Sequence, residues 1–216
     1  MSQQSSELFD VIRSTRAMRR LKPDPVPDEL LRKILEAGTA APSGGNAQLW
    51  RFLVVTDPEV KRGVQQHYKR AFDEVVGPRY ASSQPPPGMT ADQYHRQYLA
   101  VEYLTDHFHE APVWIVACLL GATGRVGSGP AARTSGASIY PAVQNMLLAA
   151  RALGLGATLT TRHLLFAEEV DAILGLPADA QSYAILPIGY PLGRFGPVRR
   201  VPLLDVVFRE SWGAPF

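Results

Sequence analysis

The longest apolar run of the chain, residues 111–122, constrains its fold more than any other feature. A helix that crosses a bilayer needs about 20 predominantly apolar residues, so this run is too short to span a membrane. Its β-branched content predicts instead a buried β-strand over residues 112–120. Shorter runs predict two more strands, at residues 52–56 and 183–190.

Helical patterns lie between and around these strands. Apolar spacing, with capping residues at several helix starts, predicts helices over residues 7–18, 27–38, 57–76, 92–109, 138–153 and 168–174. Glycine- and proline-rich stretches predict loops at residues 41–48, 77–91 and 121–136. The sequence contains no internal repeat, low-complexity tract or clear domain linker. We therefore expect one α+β domain over residues 1–216.

The composition excludes several classes of protein. With 46% hydrophobic and 19% charged residues, the chain is too apolar to be disordered and is typical of a soluble globular protein. A single cysteine, Cys118, excludes a disulfide scaffold and fits a reducing compartment. The first ten residues lack the basic and apolar segments of a secretory signal. We expect a cytoplasmic protein that does not enter the membrane.

Charge is distributed unevenly, although the net charge is only +2. Of the basic residues 18 are arginine and 4 are lysine, and residues 13–22 carry five positive charges and no acid. Residues 111–167 contain no Asp or Glu at all. Because guanidinium groups bind phosphate and carboxylate in a bidentate manner, this pattern predicts a site for a small anion. A nucleic-acid surface is the alternative, and the near-neutral total charge argues against it.

Three separate segments could build such a site. They are residues 13–20 (RSTRAMRR), residues 41–50 (APSGGNAQLW), and residues 189–191 (GYP) followed by Arg199 and Arg200. Arginines of the first and third could converge on a phosphate. Short polar side chains and backbone N–H groups of the second could bind a polyol chain and a ring edge, as in a flavin nucleotide. The plainer interpretations are a solvated basic helix end for residues 13–20 and an ordinary loop between a helix and a strand for residues 41–50.

These segments resemble the FMN-dependent nitroreductase family. The matching stretches follow the family's order: TRAMRRLKPDPV (15–26), APSGGNAQLWRFLVV (41–55), GASIYPAVQNMLLAARALGLGATLTT (136–161), ILPIGYP (185–191) and RRVPLLDVV (199–207). The resemblance implies an α+β fold with a central, mostly antiparallel sheet surrounded by helices. It also implies an obligate homodimer with two FMN sites at the subunit interface.

The resemblance further implies a set of cofactor-binding residues. Those expected at the phosphate and the pyrimidine edge are Arg16, Ala17, Met18, Arg19, Arg199 and Arg200. Those expected from the other subunit, around the ribityl chain and the ring, are Pro42, Ser43, Gly44, Asn46 and Gln48. Those expected beside flavin N5 are Leu159, Thr160 and Thr161. Arg19 is the candidate for stabilising negative charge at flavin N1/O2. Thr15, Ala17 and Leu49 replace the family's usual Arg, Ser and Pro.

The implied activity is an FMN-dependent NAD(P)H oxidoreductase. A nitroaromatic, quinone or similar electrophile would be reduced by ping-pong hydride transfer, with NADH or NADPH as donor and without a metal or an obligatory acid–base side chain. Residues 77–110 would form a variable lid that sets the substrate, and residues 191–216 a C-terminal arm. A flavin-destructase, a dehalogenase, a tailoring oxidase and a non-catalytic flavin-binding protein remain alternatives.

Weaker motifs favour plain structural interpretations. The glycine-rich turn at residues 121–129 lacks the helix start and the downstream acid of a dinucleotide site. His107 and His109 lack an evident third metal ligand apart from Glu110, which favours surface histidines. Tyr94, Tyr98 and Val101 share one face of the helix predicted over residues 92–109. This face either forms a lid over the flavin or packs against the core.

Overall fold

A four-stranded antiparallel sheet forms the centre of the protein. The computed structural model describes residues 8–121 and 134–216. The strands are β1 (Trp50–Val55), β2 (Val113–Leu120), β3 (Gly156–Ala157) and β4 (Ala180–Gly189), in the order β1-β2-β4-β3. The predicted α+β class and antiparallel sheet are confirmed. The sequence pattern missed β3 because two residues are too short to show an alternation.

Helices surround this sheet. They are α1 (Leu8–Ser14), α2 (Asp28–Thr39), α3 (Pro58–Ala71), α4 (Gly77–Ser82), α5 (Ala91–Asp106), α6 (Ile139–Ala152) and α7 (Ala167–Ile173). A π-helical turn, Phe72–Val76, connects α3 directly to α4. Short 3₁₀ turns occupy Gly44–Asn46, Phe108–Glu110, Arg162–Phe166 and Leu203–Asp205. No helix within the described residues is long and apolar enough to cross a membrane.

Two predicted segments differ most from the structure. The first helix ends at Ser14 rather than at residue 18, because the N–H of Met18 donates to Ala157 of β3 instead of to the preceding helical turn. Residues 77–82, predicted as loop, are helical, because a proline in a first helical turn loses no hydrogen bond. Most of the predicted loop at residues 121–136 lies outside the described residues.

Strand β2 separates two hydrophobic clusters by simple alternation. Ile115 and its neighbours two residues away face a cluster with α2 and α6. Trp114, Val116 and Cys118 face a second cluster with α3, α5 and α7. Successive side chains of a strand point to opposite faces, so a strand covered on both faces must be apolar throughout. This explains the long apolar run, and it confirms Cys118 as a core residue.

Candidate cofactor site

The arginine-rich segment that begins at the end of α1 is hydrogen-bonded to β3 and to the chain that follows β4. The N–H of Met18 donates to the carbonyl oxygen of Ala157 in β3 at 3.0 Å. The N–H of Lys22 donates to Tyr190 at 2.8 Å, just beyond β4. The N–H of Leu192 donates to the carbonyl oxygen of Arg20, which completes an antiparallel bridge between Leu21 and Pro191, and the N–H of Val198 donates to the carbonyl oxygen of Arg13. These bonds fix the backbone positions from which the arginine side chains extend.

A cavity of about 490 Å³ lies beside this segment. Its cationic lining consists of five arginines: Arg13, Arg16, Arg19, Arg151 and Arg200. Its other lining residues are Ile12, Thr15, Ala17, Gln144, Leu147, Leu155, Ala157, Thr158, Leu159, Phe195 and Val198. Among the described residues, no carboxylate lines the cavity. Its volume is in the range of small-molecule sites, and its charges suit a phosphate while its apolar wall suits a ring.

Arg151 is a cavity residue that the motifs did not indicate. It comes from the last turn of α6, where its Nε donates to the hydroxyl of Ser14 at 3.0 Å. Its guanidinium carbon also lies 4.2 Å from the ring centroid of Phe195, in the segment after β4. The sequence indicated it only through the acid-free stretch of residues 111–167, in which Arg151 is one of the arginines and which predicts a site for a small anion. Arg151 thus joins α1, α6 and the C-terminal segment around one cavity.

Arg19 is half-buried and lacks an ionic partner among the ion pairs of residues 8–121 and 134–216. Burial lowers the pKa of its guanidinium, and the neighbouring charge of Arg16 acts in the same direction. The phenols of Tyr68 and Tyr80 oppose this shift. Because an arginine stays protonated at any physiological pH, the residue presents an uncompensated positive charge. A bound anion would relieve it.

The predicted site residues separate into groups. Arg16, Ala17, Arg19, Leu159 and Arg200 line this cavity. The side chain of Met18 is instead buried and lies against Gly156. Thr160 and Thr161 line a neighbouring cavity. The carbonyl oxygen of Arg199 accepts a hydrogen bond from Arg200 Nη1 at 2.7 Å.

The second predicted segment, residues 42–48, lies elsewhere. The N–H of Gly44 donates to Ser138 Oγ at 3.2 Å, at the N-terminal end of α6. Arg151 is near the other end of that helix, about 20 Å away at 1.5 Å per residue. Gln144, the α6 residue of the cavity lining nearest to Ser138, is about 9 Å away along the same helix, and none of residues 42–48 lines the cavity. The two predicted halves of the site are therefore not brought together within one chain.

Residues 42–48 nevertheless hold their polar side chains in place through local hydrogen bonds. Ser43 Oγ accepts from the N–H of Gln48 at 3.1 Å, and Gln48 Nε2 donates to Asn46 Oδ1 at 3.0 Å. Asn46 and Gln48 have φ angles of 54° and 50°. Left-handed backbone at a non-glycine residue costs free energy and is concentrated at functional sites.

A second cavity, of about 500 Å³, adjoins the first through the shared residue Leu159. Its other lining residues are Val75, Val76, Arg79, Thr160, Thr161, Arg162, Leu164 and Leu165. Arg162 Nη1 donates to Thr105 Oγ1. The guanidinium carbon of Arg162 lies 4.3 Å from the ring centroid of Tyr68, whose hydroxyl is 2.9 Å from Thr160 Oγ1. We refer to this space as the arginine–leucine cavity.

The weaker motifs form no additional site in the described residues. His107 Nδ1 lies 2.9 Å from Glu110 Oε1, and no group of three potential metal ligands occurs in the part of the chain that the structure describes. Tyr94 and Tyr98 pack with Tyr80 of α4, at ring-centroid distances of 5.2 and 5.7 Å. Val101 is buried. The glycine-rich turn at residues 121–129 lies almost entirely outside the described residues.

The sequence model of the Nitroreductase family matches residues 12–190. The chain belongs to this family. It is 35% identical to a Thermus thermophilus protein named NADH dehydrogenase over 201 residues, which cover 89% of this chain and 90% of that protein. It is 30% identical to iodotyrosine deiodinase of Thermotoga neapolitana over 210 residues, or 94% and 97% of the two chains.

Nitroreductase-family structures show the same fold. The structure of a candidate nitroreductase from Desulfovibrio desulfuricans in complex with FMN is 28% identical, with a TM-score of 0.67. The match covers 97% of this chain and 99% of that one. The family resemblance inferred from the motifs is thus confirmed over most of the chain. The chain also matches animal iodotyrosine deiodinases, and it spans about two thirds of the length of those proteins.

Proposed function

We propose that this protein is an FMN-dependent NAD(P)H oxidoreductase that reduces nitroaromatic, quinone or related electrophiles. The observation that carries the proposal is a cavity lined by five arginines and, among the described residues, by no carboxylate, within a chain of the nitroreductase family. Bound FMN would accept a hydride from the reduced nicotinamide and pass electrons to the second substrate. The protein's own contribution is binding, orientation and electrostatics.

The cavity residues fit FMN in distinct roles. Arg16 and Arg200 would bind the phosphate, since two fixed guanidinium groups can satisfy its oxygens by charge-assisted hydrogen bonds. Arg19, half-buried and unpaired, would stabilise the negative charge that develops at the pyrimidine edge of the ring. Leu159 lines both cavities and would lie beside the ring, with Thr160 and Thr161 toward the substrate side.

The proposed site is completed by a second copy of the chain. None of residues 42–48 lines the cavity of its own chain. The C-terminal segment leaves large apolar side chains exposed, among them Leu203 (66%), Leu204 (68%) and Trp212 (92%). Apolar surface on this scale is typical of an interface. We propose a homodimer in which the partner's residues 42–48 cover the ribityl chain and the ring.

The test is spectroscopic and uses the purified full-length chain. The proposal expects a yellow dimer whose flavin absorbance is bleached anaerobically by NADH or NADPH and restored by a quinone or a nitroarene. A colourless monomer that does not take up added FMN would contradict it. Bound flavin that neither nicotinamide reduces would identify a flavin-binding protein without turnover.

Reductive dehalogenation is a second candidate function. The similarity to the Thermotoga iodotyrosine deiodinase covers nearly the whole of both chains. The same flavin cavity could serve that reaction with a halogenated phenol as the acceptor. Halide release from an iodophenol by the reduced enzyme, compared with nitroarene reduction in the same buffer, distinguishes the two functions.

A further inference from the structure

The arginine–leucine cavity carries positive charge that the described chain does not neutralise. It contains Arg79 from α4 and Arg162 from the turn after β3, and no carboxylate is among its described lining residues. Neither arginine takes part in an ion pair within residues 8–121 and 134–216. The described residues that line the cavity therefore carry a net positive charge.

Arg162 lines this cavity, and its guanidinium is held by side chains that lie just outside the cavity lining. Its guanidinium lies over the ring of Tyr68 at 4.3 Å and near the ring of Phe72 at 5.2 Å, and it donates to Thr105. Burial lowers the pKa of Arg162, and the nearby charge of Arg19 lowers it further. A fixed guanidinium in a half-buried position interacts with an anion more strongly than a free surface arginine does, because less water screens the charge.

Arg79 lines the same cavity but, unlike Arg162, is exposed to solvent. It belongs to the short helix α4, within the segment predicted to set the substrate. Valine and leucine side chains form most of the rest of the wall (Val75, Val76, Leu159, Leu164 and Leu165), and Thr160 and Thr161 complete it. The combination of two guanidinium groups and an aliphatic wall matches a molecule with an apolar body and one anionic group.

We propose that the electron acceptor is an aromatic molecule that bears an anionic group such as a carboxylate, and that Arg79 and Arg162 bind this group. The inference rests on the proposed function. Leu159 connects this cavity to the cofactor cavity, so the apolar body of the acceptor would lie against the ring of bound FMN. An anionic group could also belong to the reduced nicotinamide donor, which carries phosphates. The experiment separates these two sources.

The experiment compares two acceptors that differ in charge, 4-nitrobenzoate and 4-nitrobenzyl alcohol. It uses the FMN-loaded dimer and measures kcat/KM for each, at fixed NADH. The wild type is expected to prefer the anion, and Arg79→Gln is expected to lower the ratio of the two values about tenfold, the typical effect of losing one charge-assisted hydrogen bond. Arg62→Gln, a surface arginine paired with Glu59, serves as the matched control and is expected to leave the ratio unchanged.

Variants of Arg162 test the buried half of the site. Arg162→Gln is expected to lower the ratio at least as much as Arg79→Gln, and Arg162→Lys to restore part of it because the charge returns without the planar fork. Because Arg162 packs on two aromatic rings, each variant is first checked by its melting temperature. The exposed Arg79 keeps the test valid if the Arg162 variants do not fold.

A binding measurement provides a readout that does not depend on turnover. Isothermal titration calorimetry of the FMN-loaded protein with benzoate and with benzamide is expected to show tighter binding of benzoate, lost in Arg79→Gln. An unchanged acceptor ratio together with unchanged benzoate binding would overturn the proposal. A variant effect confined to the KM of NADPH or NADH would overturn it too, since the anion would then belong to the donor. Failure to bind FMN or to oxidise NADH at all would refute the proposed function instead.

Discussion

The N–H of Met18 donates to the carbonyl oxygen of Ala157 at 3.0 Å, which joins the arginine-rich segment to the short strand β3. This contact positions Arg16, Arg19 and Leu159 along the same cavity. The close approach depends on Gly156, because a Cβ there would lie 2.9 Å from Met18 Cβ. The arrangement of charges around the proposed cofactor thus depends on a single missing methyl group.

Gly156→Ala is therefore expected to displace the arginine-rich segment. The added Cβ would also meet Leu21 Cδ2 at 2.9 Å, so the clash cannot be relieved by one side chain alone. We expect a loss of about 1–3 kcal/mol in the free energy of unfolding, typical of overpacking, and weaker FMN binding. Urea unfolding and FMN titration measure the two effects. Gly193→Ala is the control, since its Cβ would meet only Met18 Cε, at an ordinary 3.7 Å.

Arg16→Gln and Arg200→Gln are expected to weaken the binding of FMN but not that of riboflavin. Each variant removes one guanidinium from the proposed phosphate, and a charge-assisted hydrogen bond contributes about 1.5–3 kcal/mol. We expect the Kd for FMN to rise between about tenfold and a hundredfold, as measured by flavin fluorescence quenching. Equal weakening of riboflavin binding would show that neither arginine contacts the phosphate.

Arg19→Ala is expected to slow flavin reduction far more than it changes the fold. The half-buried guanidinium would supply a positive charge where the ring gains negative charge, and alanine supplies none. Stopped-flow measurement of flavin bleaching by NADH, in parallel with the melting temperature, checks this. A reduction rate equal to that of the wild type would remove Arg19 from the proposed electrostatic role.

The three longer strands and the core could be predicted from local sequence, because one-dimensional patterns determine them, whereas the two-residue strand β3 could not. In β2 every side chain is apolar, and the structure explains this by two clusters, one on each face of the strand. Helix boundaries were less predictable. The sequence predicted a helix to residue 18, but the helix ends at Ser14 because the tertiary bond from Met18 to Ala157 replaces a helical one.

The cavity was predictable only in part, because tertiary packing creates it. The family resemblance indicated Arg16, Arg19 and Arg200, which do line it. Arg151 and Phe195 reach it from distant elements, and no local spacing relates them. The same holds for Arg79 and Arg162, which α4 and the turn after β3 bring to one space.

The exposed apolar side chains of the C-terminal segment should stabilise the proposed dimer. Replacing both Leu203 and Leu204 by Asp places charges on surface that the partner would bury, which is costly without a counter-charge. We expect a monomer by size-exclusion chromatography with light scattering, together with loss of bound FMN. Leu99→Asp, an exposed leucine of α5, is the control and should stay dimeric with its flavin. A double variant that also stays dimeric would place the interface elsewhere.

His163 should make the folded chain less stable as the pH falls. Its ring is fully buried, its Nε2 lies 3.1 Å from Ser182 Oγ, and burial lowers its pKa to about 4 from 6.5. The unfolded chain therefore binds a proton that the folded chain does not between these two values. The stabilisation is complete above pH 6.5 and is lost as the pH falls toward 4, at up to about 1.4 kcal/mol per pH unit.

His163→Gln should remove this slope while keeping a polar group opposite Ser182. Asp171, which accepts a hydrogen bond from Ser182, is present in both proteins, and the rise that burial causes in its pKa gives a slope of the opposite sign. The difference between the two urea-unfolding series from pH 4 to 7 isolates the histidine. His95→Gln, at an exposed position, controls for the loss of one imidazole. Parallel curves for wild type and His163→Gln would mean that the buried ring takes up its proton without unfolding.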